Sequence, residues 1–131
     1  MNRFLLSFII LAGLCCFLSV AESRELIKEF KGSESRTTAE FKVKAPWIVD
    51  WRTTGDYPGT MAMDVHLVIS PGGEYVGKVA TTKWVHDGVR LFDEGGVYRV
   101  RVDSNLLNWT IRVEQLSRQE AETFIAKEKL P

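Results

Sequence analysis

The sequence predicts an all-β protein: a single antiparallel β-sandwich of jelly-roll type, with about eight strands and a short C-terminal α-helix. Two observations lead to this prediction. Between residues 26 and 115, short segments alternate apolar and polar residues with a period of two, and turns rich in glycine, aspartate and proline separate them. No stretch between these segments is long and periodic enough to form the crossover helix that a parallel sheet requires.

The N-terminal segment has the features of a signal peptide. Arg3 supplies a positive charge, residues 4–20 are mainly apolar, and Ser19-Val20-Ala21 offers the small residues that signal peptidase requires. We therefore expect cleavage after Ala21 and a secreted or periplasmic product. Because residues 4–21 form a stretch of 18 residues, near the lower limit for a membrane span, an uncleaved anchor is the alternative.

Composition limits the kinds of site and partner that we expect for the exported product, residues 22–131. Both cysteines, Cys15 and Cys16, lie in the signal segment, so the product has no disulfide or cysteine site and depends on its hydrophobic core. The 17 basic and 17 acidic residues of the chain are interspersed, with no stripe of one sign. We therefore expect no nucleic-acid partner, and no membrane contact after the signal is removed.

The first predicted strand is Leu26–Lys31, and the polar run Gly32–Thr38 after it has the composition of a loop. Ala39–Lys44 is the second strand, since it alternates around two apolar residues. The third strand is Pro46–Thr53, in which every second residue is apolar. Two glycines, an aspartate and a proline then mark residues 54–59 as a loop.

The clearest strand is Met61–Ser70, with five large apolar residues on one face. Pro71-Gly72-Gly73 reverses the chain into Glu74–Trp84, so these two strands form a hairpin. Further turns precede each of the remaining strands. These strands are predicted at Val89–Phe92, Val97–Ser104 and Leu107–Gln115.

The tail departs from the strand pattern. Ser117 followed three residues later by Glu120 is a capping box, and helix-forming residues continue to Lys129. The predicted helix has a narrow apolar side that would dock on the sandwich or on a partner. The chain therefore divides into a sandwich domain, residues 22–116, and a C-terminal helix, residues 117–131. The apolar side of the helix consists of Ala121, Phe124 and Ile125.

Aromatic residues in loops are the strongest candidates for ligand binding. Trp84 ends a predicted strand and Tyr57 lies in a predicted loop, so both are candidates for exposed contact surfaces, and packing in the core or at a strand edge is the other interpretation of Trp84. Together with His86 and Asp87, they form the predicted ligand-binding set. The remaining tryptophans fall in step with buried strand positions and are assigned to the core: Trp47, Trp51 and Trp109.

Metal and catalytic motifs are weak. Turn carboxylates at Asp87, Asp93 and Glu94 are the residues that a calcium ion would use, but no spacing matches a defined calcium loop, so no cofactor is predicted. The two histidines, His66 and His86, do not form a zinc motif, and no nucleophile elbow is present. We therefore assign no catalytic residue.

A set of core and turn residues carries a resemblance across residues 26–115. These are Phe30-Lys31-Gly32, Thr37-Thr38, Phe41-Lys42-Val43, Pro46-Trp47, Trp51, Gly96-Val97-Tyr98 and Trp109-Thr110-Ile111. In this pattern the chain resembles small exported bacterial β-sandwich proteins, whose jelly-roll outline is similar to that of pre-peptidase and CUB-like domains. The resemblance implies a fold and carries no activity, because the matching residues are core and turn residues.

The predicted function is a non-enzymatic binding or interaction module that presents loops on a rigid frame. Its candidate contact surface is the loop Thr53–Thr60 with the turns Trp84–Gly88 and Asp93–Gly96. One alternative is a hydrolase of envelope polymers that uses His66 or His86 with an aspartate. Another is a structural subunit that pairs through an edge strand.

The partner is predicted to be either a glycan or another protein. Exposure of Trp84 and Tyr57 would favour a glycan, because flat aromatic rings offer a surface to sugar rings. An undocked apolar face on the helix Ser117–Lys129 would favour a protein.

Overall fold

The computed structural model describes residues 24–57 and 59–129, and the expected signal peptide and its cleavage site lie outside this range. Within the described residues, no helix is long and apolar enough to span a membrane. The elements are β1 (Glu25–Gly32), β2 (Arg36–Thr37), β3 (Phe41–Val43), β4 (Trp47–Thr54), β5 (Ala62–Ile69), β6 (Tyr75–Thr82), β7 (Asp87–Phe92), β8 (Gly96–Asn105), β9 (Asn108–Gln115) and α1 (Arg118–Lys129).

The strands form two antiparallel sheets, which confirms the predicted fold class. Sheet 1 has the order β1-β9-β4-β7, and sheet 2 has the order β2-β8-β5-β6, with β3 also paired to β8. The first half of the chain therefore pairs with the second half in reverse order: β1 with β9, β2 and β3 with β8, β4 with β7, and β5 with β6. This pairing of the two halves of the chain is the jelly-roll topology. A jelly roll has eight strands, and β2 and β3 together occupy the position of one of them.

The short strand β2 corrects the prediction that Gly32–Thr38 is only a loop. Arg36 pairs with Val102 of β8, although both β2 residues have exposed side chains. Beyond β2, Thr38 is buried, and its backbone N–H donates to Val100 O at 2.9 Å. Backbone pairing with β8 therefore makes a strand from residues whose polar composition indicates a loop.

The core lies between the two sheets and follows the predicted alternation. Trp47, Trp51 and Trp109 are buried in it, as predicted. The Trp47 ring stacks against Phe92 with centroids 4.7 Å apart, and aromatic pairs of this kind stabilise a core beyond their buried area. Ile69, the last residue of the predicted apolar face of β5, remains exposed because it lies at the end of its strand.

Two glycines of the edge strands of sheet 1 lie under buried indoles. Gly32 of β1 pairs with Trp109, and Gly88 of β7 pairs with Trp51. A Cβ atom at Gly32 would lie 2.5 Å from Cζ2 of Trp109, and one at Gly88 would lie 2.5 Å from Cζ2 of Trp51. Each indole therefore occupies the space that a side chain on the neighbouring strand would need.

The helix α1 begins with the predicted capping box and docks on the outer face of sheet 1. Ser117 N donates to Glu120 Oε1 at 3.0 Å, and Glu120 N donates to Ser117 Oγ at 3.2 Å. The contact with the sheet is a small second core. It consists of Ile48, Leu91, Leu116, Ala121 and Phe124. Ile125, which the sequence placed on the same apolar side, is exposed.

Candidate functional site

In the part of the chain that the structure describes, four connections cross between the two sheets at the same end of the sandwich: residues 33–35, 55–61 (of which residue 58 is not described), 83–86 and 106–107. Strand pairing determines the spatial order of the four connections. Each connection joins one strand of sheet 1 to one strand of sheet 2, and these strands are hydrogen-bonded to the strands that the adjacent connection joins. The connection 55–61 therefore lies between 106–107 on one side and 83–86 on the other. The pairs that establish this order are Thr54–Asn108, Arg52–Asp87, Ala62–Asn105 and Met63–Thr82. We call these four connections the loop end.

Hydrogen bonds brace the loop end where 83–86 meets β4. The Thr53 hydroxyl donates to His86 O at 2.8 Å and accepts from His86 N at 2.8 Å. Thr53 N donates to Asp87 Oδ1 at 3.3 Å. One buried threonine therefore fixes the connection 83–86 to the neighbouring sheet strand.

Further bonds brace the other connections. Asn105 Nδ2 donates to Thr60 O at 2.8 Å, which ties 55–61 to the end of β8. Ser104 Oγ donates to Leu107 O at 2.7 Å, and Trp109 Nε1 donates to Glu34 O at 3.1 Å. Side chains thus hold each of the four connections against a strand, so the loop end is a defined surface.

The loop end exposes apolar side chains. Trp84 is 67% exposed and Tyr57 is 58% exposed, and Val85 and Leu106 are also exposed. The other exposed large apolar residues of the described chain belong to strands or to α1: Leu26, Ile69, Tyr75, Val76, Val89 and Ile125. Neighbouring strands are about 4.8 Å apart, so three adjacent connections present an apolar row about 10 Å across.

Leu106 has a backbone conformation that a leucine rarely adopts. Its φ angle is 62°, in the left-handed region, where a Cβ atom costs about 1–2 kcal/mol. Asn or Gly would adopt this conformation with less strain. Leu106 therefore combines a strained backbone with an exposed apolar side chain at the loop end.

All four residues of the predicted ligand-binding set lie at or beside the loop end. Trp84 and Tyr57 form part of the apolar row. His86 is exposed, with its ring edge-on to Trp51 at 5.3 Å between centroids. Asp87 begins β7, directly after the connection 83–86.

The turn Asp93–Gly96 lies at the other end of the sandwich, so the structure corrects its place in the contact surface. The strand β7 separates Asp87 from Asp93, and six extended residues span about 20 Å. The three carboxylates considered for calcium, which include Glu94, therefore do not come together. Within the described residues, no group of three or more His, Cys, Asp or Glu side chains could hold a metal ion.

The two histidines lie apart, on different parts of the surface. His66 lies on β5, and its ring is 5.7 Å from that of Tyr75 between centroids. Its Nδ1 atom is buried without a hydrogen-bond partner. In the part of the chain that the structure describes, neither histidine side chain hydrogen-bonds to a carboxylate.

A polar groove that the sequence did not reveal adjoins the loop end on the outer face of sheet 1. It has a volume of about 400 Å³. The alternation of β4 and β9 places Arg52, Asn108 and Thr110 outward, but only the pairing of β1 beside β9 brings Lys31 to them. The groove is lined by Lys31, Gly32, Ser33, Arg52, Thr53, Thr54, Asn108, Trp109 and Thr110.

The site therefore consists of an apolar row on braced loops beside a groove of cations, hydroxyls and an amide. Such a surface can bind a ligand that has both flat apolar faces and polar groups. Comparison of this chain with protein-family models and with curated proteins finds no match.

Proposed function

We propose that this chain is an exported binding module that recognises its ligand through the loop end and performs no chemistry of its own. The observation that carries the proposal is the exposure of Trp84 and Tyr57 on neighbouring, hydrogen-bonded connections. Exposed aromatic rings held on a rigid frame bind at low entropic cost, because few rotamers are lost.

A glycan is the ligand class that these features favour. The exposed aromatic rings match the flat apolar faces of sugar rings, and the neighbouring groove supplies hydrogen-bonding groups for hydroxyls. The feature that would favour a protein, an undocked helix, is weakened because Ala121 and Phe124 pack against sheet 1. The proposal assigns no catalytic residue, since neither His66 nor His86 is paired with a carboxylate in the described chain.

Export is the part of the proposal that rests on the N-terminal sequence alone. The chain expressed in full length in a bacterial host should yield an exported product whose first residue is Glu22, as N-terminal sequencing would show. A product that keeps residues 1–21 and stays with the membrane would support the anchor instead.

The binding proposal is tested by the thermal midpoint of the purified protein against a panel of envelope glycans. A ligand at one hundred times its Kd adds about 2.7 kcal/mol, a shift of several degrees for a domain of this size. We expect at least one glycan to give this shift, and the double variant Trp84→Ala/Tyr57→Ala to abolish it.

The matched control is Tyr75→Ala, since Tyr75 is 61% exposed but lies on β6, away from the loop end. This variant should keep the shift. If the panel is without effect, or if Tyr75→Ala removes binding as completely as the loop-end variant, the proposal is wrong.

A further inference from the structure

The groove beside the loop end carries two cations that the proposed binding role does not explain. We propose that Lys31 and Arg52 bind the acid groups of an anionic glycan, whose sugar rings continue over the apolar row. This inference rests on the proposed function and adds the charge of the ligand to it.

Register places the two cations on either side of a hydroxyl. Thr110 of β9 pairs with Lys31 of β1 on one side and with Arg52 of β4 on the other. With strands about 4.8 Å apart, the two cationic residues lie about 10 Å from each other across Thr110. An acid group above this row can therefore meet an ammonium or a guanidinium group and a hydroxyl together.

The charge of this row is accessible to a ligand. The side chains of Lys31 and Arg52 are 73% and 63% exposed. In the next row of the sheet, Lys31 Nζ is 3.8 Å from Glu29 Oε1, and Arg52 Nε is 3.4 Å from Asp50 Oδ1. In the same row, Arg52 also pairs with Asp87 of β7, whose Oδ1 accepts from Thr53 N. The Lys31–Glu29 pair is largely exposed and therefore weak, whereas Arg52 meets the buried Asp50 through Nε. A ligand carboxylate or sulfate can therefore compete for Lys31 and reach the terminal guanidinium nitrogens of Arg52.

Among the residues that the structure describes, no carboxylate lines the groove itself. Towards the loop end, the row of cations is followed by the pair Asn108 and Thr54, which offers an amide and a hydroxyl. These groups both donate and accept hydrogen bonds, as sugar hydroxyls do. The groove therefore combines positive charge with neutral groups suited to hydroxyls, and the nearest acid in its row, Asp87, lies beyond Arg52 and accepts from Thr53 N.

The groove and the apolar row are continuous. Asn108 in the groove is two residues from Leu106 in the row. The groove lining includes Gly32 and Trp109, and the Arg36 guanidinium lies 5.4 Å from the centroid of the Trp109 indole. One chain-like ligand can therefore contact both surfaces, whereas a free phosphate ion would contact the cations of the groove and not the apolar row.

The test compares two oligosaccharides by titration calorimetry: a hexamer of galacturonic acid and a neutral hexamer of N-acetylglucosamine. The protein should bind the acidic hexamer more tightly, and this preference should shrink as salt is raised. In the variant Lys31→Gln/Arg52→Gln, affinity for the acidic hexamer should fall at least about tenfold, as expected when charge-assisted hydrogen bonds are lost.

The matched control is Lys78→Gln/Arg101→Gln, which removes the same two charges from exposed positions in sheet 2. It should bind the acidic hexamer as the unaltered protein does, and circular dichroism should show that both variants are folded at the assay temperature. Equal loss in both variants, or no loss in the groove variant, overturns the inference.

The outcome also separates this inference from the proposed function. If only the neutral hexamer binds, and Trp84→Ala/Tyr57→Ala abolishes that binding, the loop-end proposal stands and the anionic ligand is wrong. If neither hexamer binds but a hexamer of glutamate does, the partner is an acidic protein segment and the glycan is wrong.

Discussion

Two pairs of aromatic residues at opposite ends of the sandwich differ in their surroundings: Trp47 and Tyr98 are buried, whereas Trp84 and Tyr57 are exposed. At the end opposite the loop end, Trp47 is fully buried, and its Nε1 donates to Glu94 O at 2.8 Å. The Tyr98 hydroxyl donates to the same carbonyl at 3.1 Å. Inward-facing rings therefore fasten the turn between β7 and β8.

At the loop end, Thr53, Ser104 and Asn105 hold three of the four connections, and the buried Trp109 holds the connection 33–35. The aromatic side chains of the connections themselves, Trp84 and Tyr57, are exposed to solvent. The difference indicates that Trp47 and Tyr98 stabilise the fold, whereas Trp84 and Tyr57 are available for contact. Substitutions of these four residues should therefore separate stability from binding.

The largest difference should come from two tryptophans. Trp47→Ala removes a ring packed against Phe92 and Tyr98 and should lower the free energy of unfolding by about 3–5 kcal/mol. Trp84→Ala, at an exposed position, should change it by no more than about 0.5 kcal/mol. Urea unfolding of both variants measures the change in the free energy of unfolding. A large loss of stability in Trp84→Ala would contradict the difference drawn between the two tryptophans.

Gly32→Ala should give an intermediate effect. The added methyl group would meet the buried Trp109 ring, and such overpacking costs about 1–3 kcal/mol. Gly77→Ala on β6 is the matched control, because no atom lies within 4 Å of its added Cβ. The difference in urea midpoint between the two variants measures the effect, and equal midpoints would show that Trp109 moves freely.

The smallest effect should be a loss of stability at high pH. Burial, and secondarily the charge of Glu94, raises the pKa of Tyr98 above its ordinary value of 10.0. In the unfolded chain, this tyrosine loses its proton near its ordinary pKa, whereas the folded protein keeps it protonated. The unfolded state therefore binds fewer protons above pH 10, and stability falls as pH rises through the pKa of the folded state.

Thermal midpoints from pH 8 to 11 test this effect. Tyr98→Phe should be less stable at pH 8, because it lacks the hydrogen bond to Glu94 O, but it should lose less stability at high pH. An alkaline loss of the same size in the variant would assign the effect to other groups.

The sequence predicts the elements that local rules determine. Period-two alternation identifies β4, β5, β8 and β9 and places Trp47, Trp51 and Trp109 in the core. The capping box at Ser117 and Glu120 marks the start of α1, because its two hydrogen bonds form within one turn of the chain.

The sequence does not predict what depends on pairing between distant strands. β2 forms because Arg36 pairs with Val102 of β8, which lies 66 positions further along the chain. No local sequence pattern predicts this pairing. The groove requires Lys31 and Arg52 on either side of Thr110, which follows only from the order of sheet 1. Likewise, the composition of a turn does not show at which end of the sandwich it lies. The turn Asp93–Gly96 is separated from the loop end by the length of β7.

The most direct test of the central claim, that the loop end is the binding surface, is a map of backbone amide chemical shifts. The labelled protein would be titrated with the galacturonic acid hexamer and with the neutral hexamer. We predict that the shifts concentrate at residues 33–35, 55–61, 83–86 and 106–107 and in the adjoining groove. Shifts concentrated on α1 or on the turn Asp93–Gly96, with the loop end unchanged, would contradict it.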